Sequence, residues 1–388
     1  MSAGQPDVSI ARTGGGPGNA RAARGRAPDA GARTAGPPAV RSDKYSPNPS
    51  PGGRDSGTRV ANNGIKLPGR PLYGPGEETA FSAGAGGGRT ASTRPMIEQL
   101  LNYKLLEVLG RGAGSTIYRA QDLNTGRVVA LKHVPRVKQK DIRYVEQMET
   151  EYEVSKSFSH PNLRRALMLK VNKSLLLKVT DAILVLEYVD AKPLERSLPS
   201  DLGEVIDVFL QAANGLQAMH RMGFAHCDIK PNNILRDDKG QVKVIDFGQA
   251  CRIGTVKERI QGTPDYIAPE QVTRQPISEG TDVFNLGATL YWATTGKHIP
   301  TAYHAKRHGE NSFLIDSLFK TPRDLNPDVP IPVSEVIMQC VATNPKNRPQ
   351  TMDELIRKLE LGRHVLQRND GALQAQAASD PLVNDTRF

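Results

Sequence analysis

Cysteine is scarce in this 388-residue chain: Cys227, Cys251 and Cys340 are the only three, with no CxxC pair and no metal-ligand spacing. That excludes a disulfide framework and a cysteine-built zinc site, and it fits small thiol side chains in a reducing compartment. Long apolar runs are missing as well. No stretch approaches the roughly 18 residues of a membrane-crossing helix, and the amino terminus lacks the apolar core of a secretory leader, so a soluble, cytoplasmic chain is expected. Aromatic and β-branched residues are sparse in residues 1–95, which are built of Gly, Pro, Ala, Ser and Arg ("ARTGGGPGNARAARGRAPDAGARTAGPP"). Such a segment has too little to bury to offset its ordering entropy, and a disordered arm is expected there.

Negative charge is the minority: the formal net charge is +10, and residues 1–95 hold 13 Lys/Arg against 6 Asp/Glu, or +7. The basicity therefore belongs mostly to the arm. Spread arginines can meet the phosphates of nucleic acid or anionic lipid. Contiguous basic blocks and interleaved aromatics are absent from the arm, which weighs against both contacts.

Beyond the arm, "YKLLEVLGRGAGSTIYRAQDLNTGRVVALKHV" alternates apolar and polar residues around a turn at 124–126 and predicts antiparallel strands. "KDIRYVEQMETEYEVSKSFSH" places Ile142, Val145, Met148 and Tyr152 at helical spacing and predicts one helix, and "SLLLKVTDAILVLEYVD" predicts two further strands. After Lys192 the pattern is helical. "EVIDVFLQAANGLQAMHRMGF" has Val205, Phe209, Ala213, Leu216 and Met219 on one stripe, with Gly223 as the stop. Two short strands around "DDKG" follow, then helices in "TDVFNLGATLYWATTG", "SEVIMQCVATNP" and "TMDELIRKLELG", and a loose tail over 363–388.

Four places hold chemistry. In "LGRGAGSTIYRA", Gly110, Gly112 and Gly114 let backbone N–H groups approach phosphate oxygens, although a glycine-rich hairpin is also an ordinary turn. Lys132 sits in the apolar strand "VVALKHV", where an ammonium is costly without an anionic partner; Glu151 is the candidate, with Glu149 and Glu153 close by, and an edge lysine is the alternative. In "HCDIKPNNIL", Asp228, Lys230 and Asn233 put a carboxylate, an ammonium and an amide in one loop, fit to accept a hydroxyl proton, neutralise a phosphoryl group and bind a cation, or simply to make a polar turn. In "VKVIDFGQA", Asp246 ends a buried strand, and with Asn233 it offers hard oxygen ligands that suit Mg2+, or it simply closes an Asp-x-Gly turn at the strand end.

The order of these pieces, "GRGAGSTI", "VALK", Glu151, "HCDIKPNNIL", "DFG" and "APE" (268–270), resembles the eukaryotic-type (Hanks-type) serine/threonine protein kinases, including those of bacteria. The resemblance covers about residues 103–361. It implies an α+β fold of two lobes within 96–362: a small β-rich lobe with one helix over about 96–188 and a larger helical lobe over about 189–362. It implies ATP and Mg2+ or Mn2+, with Ser/Thr residues of proteins as acceptors and autophosphorylation. Lys132, paired with Glu151, would hold the α- and β-phosphates, Lys230 the γ-phosphate, and Asn233 and Asp246 the metal; Asp228 would take the hydroxyl proton. Leu109, Gly110, Gly112, Gly114, Ser115, Ile117, Ala130, Leu186, Glu187, Val189 and Leu235 would surround the nucleotide, with Leu186 as gatekeeper. Further matches are Asp282 in "TDVFNLG", bracing the catalytic loop beside Phe284 where tryptophan is usual, and Arg348 pairing with Glu270.

Two departures stand out. Gly114 replaces a common aromatic and Ser115 the third glycine, so a more mobile loop with a weaker grip is expected. Cys227 stands where the resemblance implies an arginine that clamps an activation-loop phosphate, and Cys251 stands at a second such position. The catalytic groups are all present, which argues against a silent kinase-fold scaffold. An active conformation that depends little on loop phosphorylation is expected, and cysteines that face one another would form a redox pair. Thr255, Thr263, Ser46, Ser50 and Ser115 are candidate phosphorylation sites.

Overall fold

The computed structural model describes residues 102–112, 114–136, 139–304 and 320–379. The arm over 1–95, with Ser46 and Ser50, lies outside the described residues. Strands β1 (Tyr103–Arg111), β2 (Thr116–Asp122), β3 (Val128–Pro135), β4 (Ala166–Lys173) and β5 (Val179–Glu187) form one antiparallel sheet in the order β1-β2-β3-β5-β4. Helix α1 (Ile142–Ser155) lays Val145 and Met148 on the sheet face that carries Ala130, Leu184 and Leu186. Val129, Leu131, Ile183 and Val185 fill the other face with Ala120. Strand β3 is thus buried on both sides, which is why "VVALKHV" reads as an apolar run rather than an alternation.

One expectation fails here. Of the two strands expected in "SLLLKVTDAILVLEYVD" only β5 lies there; β4 precedes it, and "SLLLK" is the hairpin between them, with Leu177 at φ 58° and Leu175, Leu176 and Leu177 exposed. Apolar composition suggested burial, but the backbone closes a turn in which Ser174 N–H donates to Lys178 O and Leu177 N–H to Ser174 O, each at 2.8 Å.

The second lobe is helical: α2 (Leu194–Ser197), α3 (Leu202–Arg221), α4 (Pro269–Thr273), α5 (Glu279–Thr295), α6 (Pro322–Leu325), α7 (Ile331–Cys340) and α8 (Met352–Ser379). Asp201 caps α3 by accepting from Glu204 N–H, and Gly223 ends the turn after it at φ 80°. The stripe from Val205 to Met219 is fully buried as its spacing predicts. Helix α5 is buried on every side over most of its length, its polar side chains included, the signature of a helix at the centre of a lobe. Short strands dress the cleft between the lobes: β6 (Lys192–Pro193), β8 (Ile234–Arg236) and β9 (Val242–Val244) in one sheet, β7 (Phe224–Ala225) and β10 (Cys251–Arg252) in another.

Helix α8 runs past residue 362, where a loose tail is expected from the sequence. Arg363 donates twice to Asp207 of α3, at 2.8 and 3.0 Å, and Leu366 is buried. These partners lie far away in sequence, out of reach of a local pattern. No helix among the described residues is long and apolar enough to cross a membrane.

Candidate active site

Lys132 lies on β3, opposite Ile117 of β2, and two residues from Ala130, which faces Leu186 of β5. Its ammonium is 2.6 Å from Glu151 Oε2 and 3.0 Å from Asp246 Oδ1. Burial opposes the charged form, but the Asp246 and Glu151 carboxylates overcome it and hold the ammonium above its ordinary value. The same lysine holds the Asp246 carboxyl well below the usual carboxylate range. Glu151 is the partner among the three glutamates: it is fully buried, whereas Glu149 and Glu153 are exposed and Glu153 pairs with Lys156. Its second oxygen accepts from Arg164 Nη2 at 3.1 Å.

The glycine-rich turn closes with Gly112 N–H donating to Ser115 O at 2.8 Å. A Cβ on Gly110 would meet nothing within 4 Å, so that position faces open space. A Cβ on Gly114 would fall 2.3 to 2.6 Å from the ring of Tyr144 on α1. An aromatic ring of the helix therefore packs against the loop at the position where its own aromatic is missing. Leu109 is exposed and Leu235 buried on β8, while the Glu187 carboxylate turns to Lys243 Nζ at 2.6 Å and Arg165 N–H at 3.2 Å.

Between β7 and β8 lies the catalytic-loop candidate. Asp228 is buried; its Oδ1 accepts from Thr263 Oγ1 at 2.7 Å and its Oδ2 from Lys230 Nζ at 3.0 Å, and Lys230 also donates to Thr263 Oγ1 at 2.8 Å. Asn233 Nδ2 donates to Asp228 O at 2.8 Å, which leaves its amide oxygen as the atom able to ligate. The loop takes its shape from Asp282 on α5, which accepts from the N–H of His226 and of Cys227, each at 2.8 Å, and from His220 Nε2 at 2.8 Å. Those two peptide bonds hold Cys227 at φ 66°, a left-handed conformation that costs a non-glycine residue free energy.

Asp246, also left-handed at φ 66°, follows β9, and its side chain is 42% exposed toward the cleft. Phe247 behind it is buried edge-on to Phe158 at 5.0 Å and tilted against His226 at 5.3 Å. A partly exposed carboxylate and a free amide oxygen form a hard-oxygen donor set, so Asp246 and Asn233 fit a Mg2+ ion that completes its shell with phosphates and water. Glu270 and Arg348 pair bidentately at 2.8 and 3.0 Å, and the guanidinium stacks on Phe284 at 4.8 Å.

Thr263, singled out by the sequence, has its hydroxyl bonded to Asp228 and Lys230. Two members of this site, Arg164 and Tyr144, lie outside the motif set and carry no sequence signal, since each acts through a contact between elements.

Cys227 Sγ and Cys251 Sγ are 3.7 Å apart.

Residues 103–359 match the protein kinase domain, and the chain belongs to the protein kinase family. A Clostridium acetobutylicum protein named "Probable serine/threonine-protein kinase" is 28% identical over 270 residues, 66% of this chain and 39% of the relative. Serine/threonine-protein kinase PknA of Mycobacterium tuberculosis is 31% identical over 255 residues, 63% of this chain and 58% of the relative. The chain thus spans 39% and 58% of the lengths of these two curated relatives.

Proposed function

We propose that this chain is a serine/threonine protein kinase that moves the γ-phosphoryl group of ATP to protein Ser/Thr hydroxyls, itself included, in the cytoplasm. The carrying observation is a pair of linkages: Lys132 bridges Glu151 and, across the cleft, Asp246, while Thr263 ties Asp228 to Lys230 on the helical side. Lys132, fixed by Glu151, holds the α- and β-phosphates. Lys230 steadies the γ-phosphate, and Asp228 orients the acceptor hydroxyl and takes its proton. Residues 109–117 cover the phosphates, and Ala130, Leu186, Val189, Leu235 and the backbone at Glu187 line the adenine. Asp246 and the Asn233 amide oxygen hold Mg2+ or Mn2+, which neutralises phosphate charge when bound. Catalysis in such a site is positioning plus electrostatics, so each group is required.

Control by a loop phosphate is weak in this reading. The segment after Asp246 is held by other means: Gly254 N–H to Ile277 O at 2.7 Å, Ile277 N–H to Thr255 O at 2.9 Å, and Gln271 Nε2 to Gln261 O at 3.0 Å.

Labelled ATP and Mg2+ test both points. The unmodified chain is expected to transfer label at least ~100-fold faster than Lys132→Met or Asp246→Asn, and to keep most of its rate after phosphatase treatment. Equal transfer by all three proteins overturns the kinase reading; collapse after phosphatase overturns the second point alone.

A further inference from the structure

The two thiols at the positions of the implied phosphate clamp lie on different functional segments. Cys227 sits in the catalytic loop immediately before Asp228, and Cys251 opens β10, the strand that pairs the start of the activation segment to β7 in the register Cys251 with Ala225. Cys227 is fully buried with Ala225 and Ile277, whereas Cys251 is only partly buried against them. Closing the sulfur separation from 3.7 Å to the ~2 Å of a disulfide asks for side-chain adjustment, not for the approach of distant chain segments.

We propose that Cys227 and Cys251 are a reversible oxidation site, at which a hydroperoxide forms a disulfide that covalently fastens the activation segment to the catalytic loop in its productive arrangement. Cys251 is the reacting thiol: it is the less buried of the two, and the contact with the Cys227 sulfur, the Lys257 ammonium and Thr255 draw its pKa down against burial. Burial and the same contact push the Cys227 thiol the other way, so it serves as the resolving group. In the first step Cys251 sulfur attacks the peroxide, an S–O bond forms, the O–O bond breaks, and the alcohol (water, from hydrogen peroxide) leaves with the thiol proton. In the second, Cys227 sulfur attacks that sulfenic sulfur, the S–S bond forms, and the hydroxyl leaves as water with the Cys227 proton. Two thiols lose two electrons, and the peroxide gains them.

The bond preserves the site because the catalytic loop is already held independently by Asp282, and because β10 is already seated on β7. Oxidation thereby does covalently what a clamped loop phosphate does electrostatically.

The full chain, treated with a few equivalents of hydrogen peroxide and digested, is expected to yield a dithiothreitol-sensitive peptide pair joining Cys227 to Cys251. Cys340, buried with its thiol pushed up to about 12, is expected to stay reduced. The oxidised chain is expected to unfold several degrees higher and to retain phosphoryl transfer. Cys251→Ser is expected to lose the cross-link while its reduced activity stays at the level of the unmodified chain; Cys340→Ser is expected to keep the cross-link. Absence of the peptide pair, over-oxidation of Cys251 without bridging, or bridging only in denaturant overturns the site. A bridge that abolishes activity, restored by dithiothreitol, overturns the fastening role. Cross-linking is read by mass and rests on no assumption about activity, so failure of the kinase reading is distinguishable from failure of this one.

Discussion

Glu151 answers two cations, Lys132 at 2.6 Å and Arg164 at 3.1 Å, with no exposure to water. A buried carboxylate with too few partners is strongly destabilising, and the guanidinium contact gives Glu151 of α1 a second cation beside Lys132. Arg164 is also tied by its own N–H to Val244 O at 3.0 Å, on the strand that leads to Asp246. It therefore links the helix to the strand that leads to Asp246. With a hydrogen bond to a charged group contributing about 1.5–3 kcal/mol, Arg164→Met is expected to lower the unfolding temperature and raise the KM for ATP. Thermal melts and ATP titrations that match the unmodified chain would show Arg164 to be a bystander. At this scale the sequence was legible wherever short-range spacing brings side chains together, as at Asp228, Lys230 and Asn233, which the structure joins by hydrogen bonds. It was silent on Arg164, because nothing in "LRRA" distinguishes the buried Arg164 from the exposed Arg165; the partner that makes the difference is on another element.

Between elements, the contact of Gly114 with Tyr144 joins the glycine-rich turn to α1. Tyr144 is itself fixed by Arg143, whose Nη2 donates to the phenol oxygen at 2.6 Å and whose guanidinium lies 4.6 Å from the ring centre. A side chain at 114 displaces that ring. Gly114→Ala is expected to weaken ATP binding several-fold, whereas the same change in a Tyr144→Ala background is expected to have a smaller effect, a coupling that a double-mutant cycle on ATP affinity measures. Additive effects would mean that the turn and the helix act separately. The strands around the glycine-rich turn, the helix stripes and the stop at Gly223 were readable from periodicity, whereas β4, which lies upstream of the stretch expected to hold two strands, was not. The exposed leucines of the β4–β5 hairpin and the extension of α8 were not, since a turn with apolar side chains mimics a strand and a helix held by Asp207 needs its distant partner to be seen.

Across the whole molecule, α3, α5 and the catalytic loop meet at His220 and Asp282. Burial disfavours the imidazolium, but the Asp282 hydrogen bond and the Glu279 carboxylate, in ion-pair reach at 3.3 Å, raise the His220 pKa. Burial likewise opposes the Asp282 carboxylate, and His220 with the loop amides lowers its pKa. A raised histidine stabilises the fold fully below its unfolded value of about 6.5 and loses that contribution as pH rises through the raised folded value. A depressed aspartate contributes above its unfolded value of about 3.9 and fails as pH falls through the folded one. The unfolding temperature is therefore expected to be highest between those limits and to decline on the alkaline side, and His220→Gln is expected to flatten the alkaline decline in melts recorded across pH. An unchanged alkaline limb in the variant would assign the decline to other groups.

The left-handed turn at Cys227 is imposed from below, by one carboxylate of α5 gripping two consecutive peptide N–H groups. What the neighbouring Asp228 needs from position 227 is thus a backbone direction, and the side chain there is released from that duty. Side chain and backbone are separable in such a loop: the same backbone geometry can carry an arginine or a thiol at position 227, exchanged by a change there and at its partner on β10.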